Sequence, residues 1–220
     1  MQNKNPLKIV FFEPRNLIRP VLAAFIQKLG NVEELIECKT HEEVKQRILN
    51  HATDILIISL HASYKSCLNT VYFVNKNKPT IKTMIIGETN NENLFFDVIS
   101  YGANCYVSRY ITIENFRKAI NELSKNGFYI EQNSVNSLFE FSNRKTKNYS
   151  LKEISDFTNR EIQLLELFCK EYTVKEIANH LGITIKTVEN YKNRLIDKTN
   201  SHTILGAVLF AVRNNYITLY

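Results

Sequence analysis

Over residues 7–126, short continuous apolar runs alternate with segments of helical period. The runs are Leu7–Phe12, Ile55–Leu60, Met84–Ile86 and Cys105–Val107, with a weaker one at Leu35–Cys38. They are β-branched and unbroken rather than alternating, as expected of strands covered on both faces in a parallel sheet. Between them, Leu17–Leu29, Glu42–Asn50, Leu94–Tyr101 and Glu114–Lys125 place apolar residues at helical spacing, for example Phe116, Ile120 and Leu123. Five β-then-α units predict an α/β fold, a doubly wound five-stranded parallel sheet with right-handed crossovers. Ligands of such sheets sit at the carboxyl ends of the strands. The positions to examine are therefore Glu13–Arg15, Ser59–His61, Gly87–Thr89 and Ser108–Arg109.

The pattern changes after residue 128. Residues 143–150, NRKTKNYS, are polar and without period, which predicts a linker over 129–156 with one short helix at Ser137–Phe141. From 157 to 220 the sequence reads as four helices with marked starts. Thr158-x-x-Glu161 and Thr173-x-x-Glu176 are capping boxes. Gly182 is placed to stop the second helix, Thr184 to cap the third and Ser201 the fourth. Apolar residues fall on one stripe per helix: Ile162, Leu165, Phe168; Ile177, Leu181; Val188, Leu195; Leu205, Val208, Leu209, Val212. Each stripe needs the others, so the four helices share one small core. The expected division is 1–128, linker 129–156, and 157–220.

Composition narrows the function. No apolar stretch reaches the length of a membrane span, and the start MQNKNPLK has no signal-peptide pattern, so a cytoplasmic location away from membranes is expected. Cys38, Cys67, Cys105 and Cys169 are widely spaced and pair with no histidine, which predicts reduced cysteines acting as small hydrophobes. His41, His51, His61, His180 and His202 have no ligand spacing, so no metal and no cofactor are expected; His61 alone neighbours the strand ends. With no nucleophile–base pair and no phosphate-cradling glycine loop, an enzyme is not expected. The net charge is +6. Sixteen basic and 14 acidic residues lie up to position 140, and 12 and 8 beyond it. The shorter C-terminal part thus carries most of the excess, which favours a polyanionic partner there.

A short helix, a glycine turn and a longer helix with a polar outer face make a helix-turn-helix. The motifs T-x-R-E (158–161), K-E-I-A (175–178), L-G-I (181–183), K-T-V (186–188) and Lys198 resemble, in order and spacing, the LuxR-type helix-turn-helix of the NarL/FixJ response-regulator family. On a helical wheel with Val188 and Leu195 inward, Lys186, Glu189, Asn190, Asn193 and Asp197 face outward, with Thr187, Arg194 and Lys198 on a flank. Asn pairs with adenine and Glu accepts from the cytosine amino group; Lys, Arg, Thr and Tyr191 suit phosphates. The resemblance also places the family's base contacts at 189, 190 and 193. Glu189 and Asp197 depart from the basic residues usual there, and Lys192 falls near the core side with a stem long enough to snorkel.

The segments KIVFFEPRNLIRPVL, DILIISLH and SYGANCYVSR resemble a receiver domain, but the positions that carry phosphoryl chemistry differ. Glu13 fills one acidic position and Pro14 the other; Ser59 stands for the aspartate nucleophile, Gly87 for the hydroxyl switch and Arg109 for the lysine. Tyr106 retains the aromatic. Serine without an adjacent base is a poor nucleophile, and a single carboxylate is a poor magnesium site. Asp54 lies at the wrong end of its strand. A degenerate receiver that is not phosphorylated on aspartate is expected, with Glu13 and Arg109 as a candidate salt bridge.

The resemblance thus implies a two-component-type transcription regulator binding double-stranded DNA as a homodimer. Residues 201–214 are a candidate dimer contact, and the receiver is a possible site for a protein partner. The alternative is an adaptor whose two domains both bind proteins.

Overall fold

The computed structural model describes residues 6–29, 31–60, 64–87, 92–130, 157–170, 172–214 and 216–217. Its first part runs β1 (Leu7–Phe12), α1 (Ile18–Gln27), β2 (Val32–Cys38), α2 (His41–Asn50), β3 (Ile55–Ser59), α3 (Tyr64–Asn77), β4 (Lys82–Gly87), α4 (Glu92–Ser100), β5 (Cys105–Ser108), α5 (Ile113–Asn126) and β6 (Tyr129–Ile130). All strand pairs are parallel, in the order β2-β1-β3-β4-β5-β6. The expected five-stranded sheet is present, with one correction: β6, two residues long, pairs with β5 and carries the sheet past the expected boundary at 128. The remainder of the expected linker and its short helix lie outside the described residues.

Each central strand is apolar on both faces. Ile9, Phe11, Ile55, Ile57, Met84, Cys105 and Val107 pack under α1 and α5. Val10, Phe12, Leu56, Ile58, Ile85 and Tyr106 pack on the other side against α2, α3 and α4. This two-sided burial is why the strands read as continuous apolar runs. Helix α3 was missing from the helical segments read in the sequence. Its buried stripe, Cys67, Leu68, Thr70, Val71 and Val74, includes a threonine and a cysteine within an Asn- and Lys-containing stretch, which blurs the hydrophobic period. Thr70 is accommodated because its hydroxyl donates to the Ser66 carbonyl at 2.9 Å and meets His41 Nδ1 at 2.9 Å.

The second part comprises α6 (Asn159–Cys169), α7 (Val174–Leu181), α8 (Ile185–Lys198) and α9 (Ile204–Arg213). Both capping boxes form. Gly182 ends α7 in the left-handed region at φ +63°, and the Thr184 hydroxyl accepts from the Thr187 amide. The fourth cap is corrected: Thr203, not Ser201, accepts from the Gly206 amide. Asn200 takes a positive φ of 50° after α8. Ser201 lies within the connecting turn and accepts a hydrogen bond from Thr199 at 2.8 Å.

The two parts touch. Phe128, buried beside the sheet, lies edge-on to Phe168 of α6 with centroids 6.2 Å apart. Tyr72 of α3 lies edge-on to His202 at 5.8 Å. Helix α4 packs on α9. One continuous core runs from the α2–α3–α4 face of the sheet through Phe128 into α6–α9.

Candidate nucleic-acid interface and receiver pocket

Helix α8 is fixed by Val188 and Leu195, both fully buried. Lys186, Asn190, Asn193, Arg194 and Asp197 are exposed, while Thr187, Glu189, Tyr191 and Lys192 are half-buried. Of the expected outward face, Lys186, Asn190, Asn193 and Asp197 are exposed and Glu189 is partly covered; of the expected flank, Arg194 is exposed and Thr187 is partly covered. Arg194 stacks over the Tyr191 ring at 5.7 Å. The hydroxyls of Thr184 and Thr187 are 2.8 Å apart. Lys192 reaches the Glu189 carboxylate at 3.2 Å, so its stem lies along the helix and its charge meets the acid.

Lys198 sits differently from the phosphate-facing flank expected for it. Its ammonium is 2.8 Å from Glu161 Oε2 and lies over the Phe157 ring at 4.8 Å. Glu161 is 2% exposed and accepts on the same oxygen from the Thr158 amide at 2.9 Å and hydroxyl at 3.2 Å. Burial pushes the Glu161 carboxyl up, but the Lys198 and Thr158 hydrogen bonds outweigh it, and its pKa is lowered. T-x-R-E and Lys198 thus meet in space as a tie between α6 and α8. Arg160 of the same motif donates to the Leu181 carbonyl at 3.0 Å, joining α6 to the end of α7.

One residue near α8 was not read from the sequence. Lys82, at the start of β4, has its pKa lowered by burial and by Lys192, against an opposing effect of Glu189. The amino end of β4, a strand inside the sheet, and the Glu189–Lys192 part of α8 are therefore within electrostatic reach of each other. Helix α9, the expected dimer contact, is occupied within the chain: Leu205, Ala207, Val208, Ala211 and Val212 are all buried. The apolar stripe of α9 was legible in the sequence; its packing on α4 and the approach of Lys82 to α8 were not, because both depend on how the two parts dock.

At the carboxyl ends of the strands, Glu13 is fully buried. Its partner is Arg15, which corrects the expected pairing with Arg109. Arg15 donates from its amide (3.0 Å) and Nε (2.8 Å) to Oε1, and from Nη2 to Oε2 at 2.8 Å. Arg109 is exposed, and its Nη2 reaches the Leu60 carbonyl at 3.5 Å. The strand order explains the choice. β3 and β4 lie between β1 and β5, so three strand spacings, about 14 Å, separate the backbones, whereas Arg15 needs only a turn of the chain.

Burial raises the Glu13 pKa, but hydrogen bonds from Arg15 and Ser59 more than compensate, and the carboxylate is held below its ordinary value. Arg19 supports the loop by donating to the Glu13 carbonyl at 3.0 Å. Pro14 is exposed, Ser59 is 5% exposed, Tyr106 is 4% exposed, and Gly87 is buried. His61, Glu88 and Thr89 lie outside the described residues. Asp54 accepts from the Lys8 amide at 2.8 Å at the opposite end of the sheet. The donor set does not fit magnesium: the one carboxylate is already bound by a guanidinium, and its neighbours are a proline and a serine. Among the described residues, no group of three or more His, Cys, Asp or Glu is placed to hold a metal ion, and no helix is long and apolar enough to cross a membrane. All four cysteines are buried, and none is joined in a disulfide.

Comparison with known proteins agrees with this architecture. Residues 155–211 match the bacterial regulatory proteins of the luxR family. The response regulator protein VraR of Staphylococcus saprophyticus is 22% identical over 212 residues, covering 96% of this chain and 99% of that protein. The oxygen regulatory protein NreC of Staphylococcus carnosus is 25% identical over 215 residues, covering 96% and 99%. Among solved structures, the RcsB response regulator of Salmonella typhimurium superposes with a TM-score of 0.57 at 17% identity, covering 97% and 99%. An RcsB–DNA complex gives 0.57 at 15% identity, covering 95% and 99%. At these identities the structural matches establish a shared fold.

Proposed function

We propose, from the match of residues 155–211 to the luxR family and the full-length likeness to response regulators, that the chain is a cytoplasmic DNA-binding transcription regulator that works without aspartyl phosphorylation, its helix-turn-helix joined to a receiver-like domain. The observation that carries DNA binding is the exposed row Lys186, Asn190, Asn193 and Arg194 on a helix anchored from behind by Val188 and Leu195. A major groove admits one helix, and only such an outward row reaches base edges. Asn190 and Asn193 are the base readers, with Glu189 as an acceptor for cytosine. Lys186, Arg194, Thr187 and Tyr191 hold phosphates. Lys198 serves the fold. A complex of RcsB with DNA, and RcsB dimers on DNA, support binding as a homodimer.

Independence from phosphorylation is supported by the Glu13–Arg15–Ser59 cluster. The guanidinium supplies from within the chain the positive charge that a metal would otherwise bring to the carboxylate, and Ser59 offers only a neutral hydroxyl. The receiver-like domain then acts through contacts: with a second copy, with a protein partner, and with its own helix-turn-helix.

A mobility-shift titration of the full chain against pooled duplex fragments at moderate salt tests the first reading. A salt-sensitive shift that enriches particular sequences is expected. A folded chain that retards no duplex at any salt overturns it and leaves the adaptor reading. Treatment with acetyl phosphate and Mg²⁺, followed by intact mass and peptide mapping, tests the second; a stoichiometric phosphate adduct on an aspartate overturns it.

A further inference from the structure

Glu189 is an acid on a helix that otherwise offers amides and cations to a groove, and it carries its own counter-ion. Lys192, one turn further along α8, brings its ammonium to 3.2 Å from Glu189 Oε2 and 3.5 Å from Oε1. Both side chains are half-buried, and the residues that follow them, Asn190 and Asn193, are exposed. The long lysine stem is what lets a position near the core side of the helix return its charge to 189.

The counter-ion matters because duplex DNA carries a negative charge for roughly every 1.7 Å of its axis. A bare carboxylate entering the groove would be repelled by both phosphate chains. Beside Lys192 the two charges offset each other. The carboxylate keeps acceptor sites and the ammonium keeps donors, since each has more than the shared contact uses. An acceptor and a donor are thus held side by side, 3.2 Å apart.

A C·G pair presents the complement in its major-groove edge: cytosine N4 donates, and guanine O6 and N7 accept. N4 and O6 are joined by a Watson–Crick hydrogen bond, so they lie about 2.9 Å apart, close to the spacing of the protein pair. An A·T pair offers a similar donor and acceptor, but adenine N7 would then face the carboxylate and the thymine methyl would face the ammonium. G·C and T·A reverse the order and set the ammonium against an amino group.

We propose that Glu189 and Lys192 read one C·G pair in each half-site as a unit, the carboxylate accepting from cytosine N4 and the ammonium donating to guanine O6 and N7. The inference rests on the reading of α8 as the helix that enters the groove, and it adds Lys192 as a specificity-determining residue. Neither residue reads the pair alone. Without Lys192 the carboxylate is repelled from the groove, and without Glu189 the flexible ammonium turns to the phosphates.

The test uses the full chain as wild type, Glu189→Ala, Lys192→Ala and the double variant. Duplexes are selected from a random-sequence pool, and binding curves are measured for the selected site and its single-base variants at one salt concentration. Alanine is the best helix former and both positions reach the surface, so the helical circular dichroism should be unchanged. The wild type is expected to select C·G at one position per half-site and to bind the other three pairs there about tenfold more weakly. Each single substitution should abolish that preference and leave those at other positions intact, and the double variant should lose no more. Lys192→Ala should also weaken binding to every sequence about tenfold, because the acid then confronts the phosphates unpaired. Adding Glu189→Ala should recover that loss. A C·G preference retained in Lys192→Ala, or a double variant no tighter than Lys192→Ala, overturns the proposal and leaves an ordinary helix-surface ion pair. Selected sites whose base preferences depend on Asn190 but on neither Glu189 nor Lys192 remove the proposal and keep the DNA-binding reading. A folded wild-type chain that retains no duplex overturns both.

Discussion

The ammonium of Lys198, at the end of α8, lies 2.8 Å from the buried carboxylate of Glu161 in the first turn of α6. The two residues are 37 positions apart, and both belong to motifs shared with LuxR-type domains. One carboxylate oxygen thereby serves a helix cap and an inter-helix ion pair at once. Lys198→Ala is expected to destabilise the helical domain by about 2–3 kcal/mol, the scale of a hydrogen bond to a charged group. Denaturant unfolding of the full chain, followed by helical signal, measures it. The slope of log affinity against log salt for DNA should stay as in the wild type. A decrease of about one unit would return Lys198 to the phosphates.

Arg15→Ala leaves Glu13 buried without its cation. Because the guanidinium is 40% exposed, solvent softens the loss, and about 2–4 kcal/mol is expected for the sheet domain. The Glu13 pKa is lowered in the folded state, so its contribution is complete above the unfolded carboxylate pKa and fades as pH falls through the folded value. Unfolding free energies compared between pH 7 and pH 3 should therefore show a smaller acid loss in Arg15→Ala than in the wild type. Equal losses would remove the clamp from the account.

His41 offers a second pH dependence, of the opposite charge type. Burial, and then Lys45, lower its pKa; its ring lies 4.3 Å from that of Phe12 and meets the Thr70 hydroxyl. A histidine harder to protonate when folded contributes fully above its unfolded pKa of about 6.5. That contribution declines as pH falls from there toward the folded value. His41→Gln should flatten stability between pH 7 and pH 5.5 relative to the wild type. A wild-type profile already flat across that window would contradict this assignment.

Base reading and phosphate holding separate at α8. Asn190→Ala should relax preference at one base position per half-site, at about 1–3 kcal/mol for that base. Arg194→Ala should weaken all sequences alike and reduce the salt slope by about one unit. Binding curves for a selected site and its single-base variants, at several salt concentrations, distinguish them. Uniform losses from both variants would move the reading face elsewhere on the helix.

The sequence by itself determined what depends on neighbours within a few positions. Caps at Thr158, Thr173 and Thr184, the turn at Gly182 and the core stripe of α8 are local, because hydroxyl, glycine and hydrophobic period act over one or two helical turns. The two-sided strands were legible for the same reason: continuous apolar runs report burial on both faces. Helix α3 escaped because Thr70 and Cys67 occupy its inner stripe, and only the partner His41, supplied by α2, shows why a polar residue is tolerated there. Tertiary structure alone decided the charges. Lys198 looks like a flank residue until α6 brings Glu161 to it. Glu13 and Arg109 look like partners until the strand order separates them and Arg15 turns back. The docking of α9 on α4 arises from surfaces far apart along the chain. Their contact depends on the relative placement of two folded parts, which no local period or spacing encodes.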